Sequence, residues 1–142
     1  MLRMTRLPLV LVAALLLTAC TGPQSITVES GVRVPEALQS DGVIGESGPG
    51  AEWVGGGRDE FVVVLYGSSS CAPIPVDLVA DGPRELAVEF AHNSAEVCSA
   101  DIAANTFAFD TPTGIDAEGD VDLEITFRYD DETSVVTVPV LE

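Results

Sequence analysis

Val121-Asp122-Leu123-Glu124-Ile125-Thr126-Phe127-Arg128-Tyr129 alternates without a break. Val121, Leu123, Ile125 and Phe127 share one side, and Asp122, Glu124, Thr126 and Arg128 share the other. That period of two belongs to a strand with one dry and one wet face. Asp130-Asp131-Glu132-Thr133 follows as a polar loop that closes a hairpin, and Ser134 to Leu141 reads as the returning strand. Pro139 within it points to an edge or a strand end, because proline has no N–H for a ladder. Working upstream, Asn105 to Asp110 sets Phe107 and Phe109 on one side, and Glu85 to Ala91 does the same with Leu86, Val88 and Phe90. Asp81-Gly82-Pro83 is a turn, and Pro75 to Ala80 a further strand. Phe61-Val62-Val63-Val64-Leu65-Tyr66 is apolar on both faces and reads as a central buried strand. Helical periodicity is nowhere sustained, although Asn93 to Ala104 has room for one helical turn around Cys98.

Six or seven short strands with Gly and Pro turns predict an all-β domain: a small antiparallel β-sandwich, immunoglobulin-like in the loose sense, with one disulfide. The strict immunoglobulin pattern fails. Trp53 precedes both candidate cysteines instead of lying between them, and the position two before Cys98 holds Glu96, not tyrosine.

The amino-terminal segment carries a different signal. Arg3 and Arg6 precede an apolar run from Leu7 to Leu17, which ends in Leu17-Thr18-Ala19-Cys20. Basic, then apolar, then small residues is the order of a secretory signal. The run is too short for a membrane span, which takes ~20 residues. Leu17 to Cys20 resembles the bacterial lipobox. The resemblance implies cleavage before Cys20, lipidation of its thiol with at least two acyl chains, and stable anchoring on the extracytoplasmic face of the cell membrane. The expected organisation is a lipoprotein signal peptide over 1–19, a lipidated flexible tether over 20–50 and the β-sandwich over 51–142. The tether is rich in Gly, Ser, Pro and Glu. Within it, Ile26-Thr27-Val28 and Val32-Arg33-Val34 alternate and are open to joining the sheet as a short strand.

Charge narrows the partners. The 142-residue chain has 23 acidic residues against six arginines and no lysine, a net charge of −17. Loss of Arg3 and Arg6 with the signal takes it to −19. A nucleic-acid surface needs basic patches to neutralise phosphates, so nucleic acid is excluded as a partner. Basic proteins, cations and neutral glycans remain, as does plain solubility. With Cys20 lipidated, Cys71 and Cys98 form an even pair that reads as a disulfide in an oxidising compartment.

Candidate chemistry is sparse. Asp116, Glu118 and Asp120 form an acidic loop that invites calcium, but an EF-hand starting at Asp116 needs glutamate where Phe127 stands. No metal or other cofactor is assigned. Ser68-Ser69-Ser70 after Gly67 lacks the final glycine of a nucleophile elbow, since Cys71 occupies that position. His92 is the sole histidine and so the sole conventional base, which leaves a small hydrolase as a minor alternative. The loop reads better as a rigid, lightly charged surface. Small hydroxyl residues suit tight turns, and Pro73 and Pro75 stiffen the exit. The candidate binding loop is therefore Gly67, Ser68, Ser69, Ser70 and Pro73, with Trp53 and Tyr66 as aromatic contacts.

The mature segment also resembles a group of small secreted or lipid-anchored actinobacterial proteins. The resemblance rests on Tyr66-Gly67-Ser68-Ser69-Ser70-Cys71-Ala72-Pro73-Ile74-Pro75, on Cys98-Ser99-Ala100-Asp101 and on Thr106-Phe107-Ala108-Phe109, across about residues 53–142. It supports the disulfide pairing and implies no mechanism. The expected function is a non-enzymatic binding or accessory module for an envelope protein or cell-wall component. The alternatives are a calcium-dependent structural module or a hydrolase using His92.

Overall fold

A computed structural model describes residues 26–39, 48–95 and 97–142. The signal peptide, Cys20 and the rest of the expected tether at 20–25 and 40–47 lie outside the described residues. Eight strands form: β1 Val28–Ser30, β2 Gly50–Val54, β3 Glu60–Gly67, β4 Ile74–Gly82, β5 Glu85–Ala91, β6 Ala103–Asp110, β7 Asp122–Arg128 and β8 Thr133–Leu141. A short 3-10 turn spans Glu36–Leu38. The segment around Cys98 holds no helical turn among the described residues.

The all-β expectation holds, with two corrections. The eight strands make one mixed sheet, in the order β1-β6-β3-β2-β8-β7-β5-β4, nearly closed into a barrel, and not a two-sheet sandwich. It is also not wholly antiparallel, since β2 runs parallel to β8 and β5 parallel to β7. The single sheet and the parallel β2–β8 pairing both follow from β8. Thr133 to Pro139 pairs with β7 as the predicted hairpin, and then Val140 and Leu141 pair with Ala51 and Glu52 of β2. Val140 N–H donates to the Val121 carbonyl. Ladder donors alternate sides, so Pro139 turns its donorless nitrogen away from β7. The proline thus marks the place where the strand changes partner.

The interior explains the alternation. Phe61, Val63 and Leu65 of β3, Leu86, Val88 and Phe90 of β5, Phe107 and Phe109 of β6, and Leu123 and Ile125 of β7 form one buried cluster. Phe90 meets Phe107 at 5.1 Å and Phe109 at 6.3 Å between ring centres, although β5 and β6 are not hydrogen-bonded neighbours. These contacts across the interior are what wrapping the sheet achieves. Each such ring contributes ~1.5–3 kcal/mol on burial.

The outer face of β3 is dry for a separate reason. Val62, Val64 and Ala108 are covered by Val32, Val34, Leu38 and Tyr66. Within the expected tether, then, β1 pairs with β6, and the residues after it strap the outside of the sheet. Thr106 Oγ1 donates to the Val32 carbonyl at 2.6 Å, and Tyr66 donates its hydroxyl proton to the Leu38 carbonyl at 2.9 Å. Residues 26–39 belong to the folded body and not to a free tether.

Candidate functional site

The strand directions collect the ends of β3, β5 and β7 and the starts of β4, β6 and β8 at one end of the barrel. The Ser-rich loop lies there. Cys71 and Cys98 are bonded, with Cα atoms 5.5 Å apart, and tie the loop to the segment that enters β6. The disulfide read from the cysteine count is correct.

A second fastening joins the same two segments. Ser99 Oγ donates its one proton to Asp101 Oδ1. Ser70 Oγ donates to Ser99 Oγ at 3.1 Å, and the hydroxyl oxygens of Ser68 and Ser69 lie 2.8 and 3.2 Å from it. Ser69 N–H donates to Asp101 Oδ1 at 3.1 Å, and Ser99 N–H donates to Ser70 Oγ at 2.8 Å. The Ser69 hydroxyl foremost, then the Ser99 hydroxyl and the Ser69 N–H, favour the charged form of Asp101. Its carboxyl is lowered from 3.8 to about 2. Asp101 and Ser99 carry no signal of their own in the sequence beyond their place after Cys98. Their role emerges only when the bridge brings the two segments together.

Beneath this loop opens a cleft of about 500 Å3. Leu65, Phe90 and Phe127 supply apolar lining, and His92 and Tyr129 lie ring to ring at 5.5 Å beside them. Both cysteines, Tyr66, Gly67, Ser68 and Pro73 complete the side under the loop. Tyr129 is half exposed, whereas Phe90 is wholly buried. Arg128 reaches the cleft but pairs through Nε with Glu89 at 2.9 Å. Asn93 Nδ2 donates to the Ala72 carbonyl at 3.2 Å and steadies the far side of the loop.

The structure brings Tyr66, Gly67, Ser68 and Pro73 to the cleft, with Ser69 and Ser70 in the hydroxyl knot beside it. It does not bring Trp53. That ring is 6% exposed, pairs in register with Phe61 and packs edge-on against it at 5.9 Å. Phe61 lies at the start of β3 and Gly67 at its end, so Trp53 belongs to the core far from the loop. Phe90, Phe127 and Tyr129 went unread as site residues. Each is the last inward or terminal aromatic of an alternating strand, and only the strand directions show that those ends converge.

His92 shares no hydrogen bond with the serines among the described residues, and Asp101 is engaged by Ser69 and Ser99. The acidic loop lies at the opposite end of the barrel. Arg84 donates to Asp116 Oδ2 through Nη2 at 3.1 Å and Nε at 3.3 Å. No group of three potential ligands sits close enough to hold a metal ion among the described residues. Of the three acids in this loop, Asp116 is the one that Arg84 holds. At the same end Arg58 takes a left-handed φ of 54° and bonds both Glu142 and the Ala117 carbonyl.

Fold and site together define a disulfide-pinned, barrel-like β domain with an aromatic cleft at one end. No protein-family model, no curated protein and no solved structure matches the chain.

Proposed function

We propose that this chain is a lipid-anchored, extracytoplasmic binding module, without catalysis of its own, that engages an envelope protein or cell-wall component at the cleft end of the barrel. The observation that carries the reading is the concave, aromatic cleft beneath a loop fastened twice, by a disulfide and by the Ser99–Asp101 knot. Pre-formed apolar clefts with a few convergent polar groups are the usual form of a binding site. Pinning the rim lowers the ordering cost of binding. The lipobox at Cys20 and the paired cysteines support the extracytoplasmic location.

The two alternatives draw less support. The serines bond one another and Asp101 instead of His92, and Asp116 is held by Arg84. His92→Ala with undiminished turnover on any hydrolysed substrate removes the first alternative. A melting temperature unmoved by calcium after chelation removes the second.

The test is site-specific photocrosslinking in native membranes, with the crosslinker at Ser69 or Tyr129 and at Val135 on the outside of β8. Expected is one envelope species captured from the first two positions and absent from the third. Equal capture from all three, or from none, overturns the proposal. Cys20→Ala is expected to move the protein from the membrane to the soluble extracytoplasmic fraction and to abolish palmitate labelling; retention at the membrane refutes the anchor.

A further inference from the structure

We infer that the cleft takes a small, uncharged ligand presenting an apolar ring or chain. This rests on reading the cleft end as the binding face, and it names the chemistry of what fills it.

The chain carries 23 acidic residues, yet none of the described residues lining the cleft is Asp or Glu. A cationic ligand finds no carboxylate there to replace its water. An anionic ligand must approach through the field of a protein with net charge −17. At the cleft it meets Arg128, whose guanidinium is already paired with Glu89. A neutral ligand meets neither obstacle. In so acidic a chain the cleft is a patch lined by no carboxylate, its one charged lining residue, Arg128, is already paired, and burying a charge there without a partner is costly.

Buried Leu65 and Phe90 floor the cleft, Phe127 is partly exposed in it, and Tyr129 offers a half-exposed ring beside His92. Such surface rewards burial of apolar area and stacking against an aromatic plane. The volume of about 500 Å3 falls in the range of small-molecule sites, ~300–1,000 Å3. What fills the cleft is accordingly the neutral apolar ring or chain of a small envelope component, larger than one amino-acid side chain.

The experiment uses two probes that share one ring system. N-phenyl-1-naphthylamine is neutral, and 8-anilinonaphthalene-1-sulfonate is the same skeleton with a negative charge. Each is titrated by fluorescence into the mature protein at about 0.01 M and about 1 M NaCl, which shortens the screening length from ~30 Å to ~3 Å. Expected is saturable 1:1 binding of the neutral probe, unchanged by salt, with weaker binding of the sulfonate that improves as salt rises. Tyr129→Ala weakens the neutral probe roughly tenfold, the loss from one stacked ring. Tyr129→Phe retains its binding. Val135→Ala, which removes an exposed apolar group outside the cleft, leaves it unchanged.

Three results overturn the inference. Absence of saturable neutral-probe binding shows that the cleft is no apolar ligand site, while the photocrosslinking still judges the binding face on its own. Tighter binding of the sulfonate at low salt makes the cleft an anion site and leaves the binding face standing. Neutral-probe binding indifferent to Tyr129→Ala places the probe elsewhere on the protein.

Discussion

Replacing both Cys71 and Cys98 with serine removes the one covalent tie between the Ser-rich loop and the entry to β6. The sequence separation is 27. The loop-closure relation for 27 residues gives about 12 cal/mol/K of denatured-state entropy, or about 3.5 kcal/mol at 25 °C. With ~2.1 cal/mol/K of unfolding entropy per residue and a body of about 120 residues, the melting temperature falls by about 14 °C. The assay is a pair of urea melts followed by tryptophan fluorescence, since Trp53 is buried and reports the core and not the loop. The variant's midpoint should fall while the folded-state spectrum stays the same, because Trp53 lies at the other end of β3. A loss under about 1 kcal/mol would refute the reasoning. It would mean that the hydroxyl knot alone confines the loop, or that the denatured chain stays compact without the bridge. A changed folded-state spectrum would refute it differently, by showing that the bridge shapes the native core.

Phe90→Ala should cost about 3–5 kcal/mol by urea melt, because Phe90 is wholly buried and touches three other phenylalanines, at positions 107, 109 and 127; a cost under about 1 kcal/mol would show that the interior closes around the missing ring. The Ser69 amide resonance should titrate with a midpoint near 2 and not near the ordinary 3.8. The folded value of Asp101 is depressed, so its contribution is fully present above about 3.8 and is lost as pH falls through about 2; a midpoint at 3.8 would show that the knot does not hold the carboxylate. Added NaCl should raise the melting temperature, because Glu85 sits directly across from Asp122, Asp77 directly across from Glu89, and the chain is strongly acidic. A melting temperature that falls on going from low to moderate salt would contradict this.

The strands were legible because alternation is local. Asp122–Arg128 and Glu85–Ala91 can be read from the residues between their own ends. Closure was not legible, because it depends on Val140 and Leu141 finding Ala51 and Glu52, about ninety positions away, and nothing in Val-Leu announces a parallel partner. Val62 and Val64 were correctly read as buried on the second face. What covers them is a strap from the segment that composition assigned to a tether. Composition averages over thirty residues, while Val32, Val34 and Leu38 act singly. The site divides in the same way. The Ser-rich loop stood out as a run, but Phe90, Phe127 and Tyr129 belong to it through strand direction. Trp53 was drawn toward the loop by its chemistry alone and is placed in the core by its register with Phe61. The acidic loop shows no metal pattern in the sequence, and its contact with Arg84, thirty-two residues before Asp116, is equally invisible from within it.

The change of partner at Pro139 has a consequence for how the chain is made. The strand that joins β7 to β2 is the last of the eight to appear when synthesis runs from the amino end. Before Val140 and Leu141 emerge, one part of the sheet has β2 as a bare border and the other lacks its link to it. Neither part holds the whole ring cluster, because Phe61 and Phe109 lie on one side of the junction and Phe90 and Phe127 on the other. Closure of the sheet therefore waits on a pairing across about ninety positions, a slow kind of contact to form.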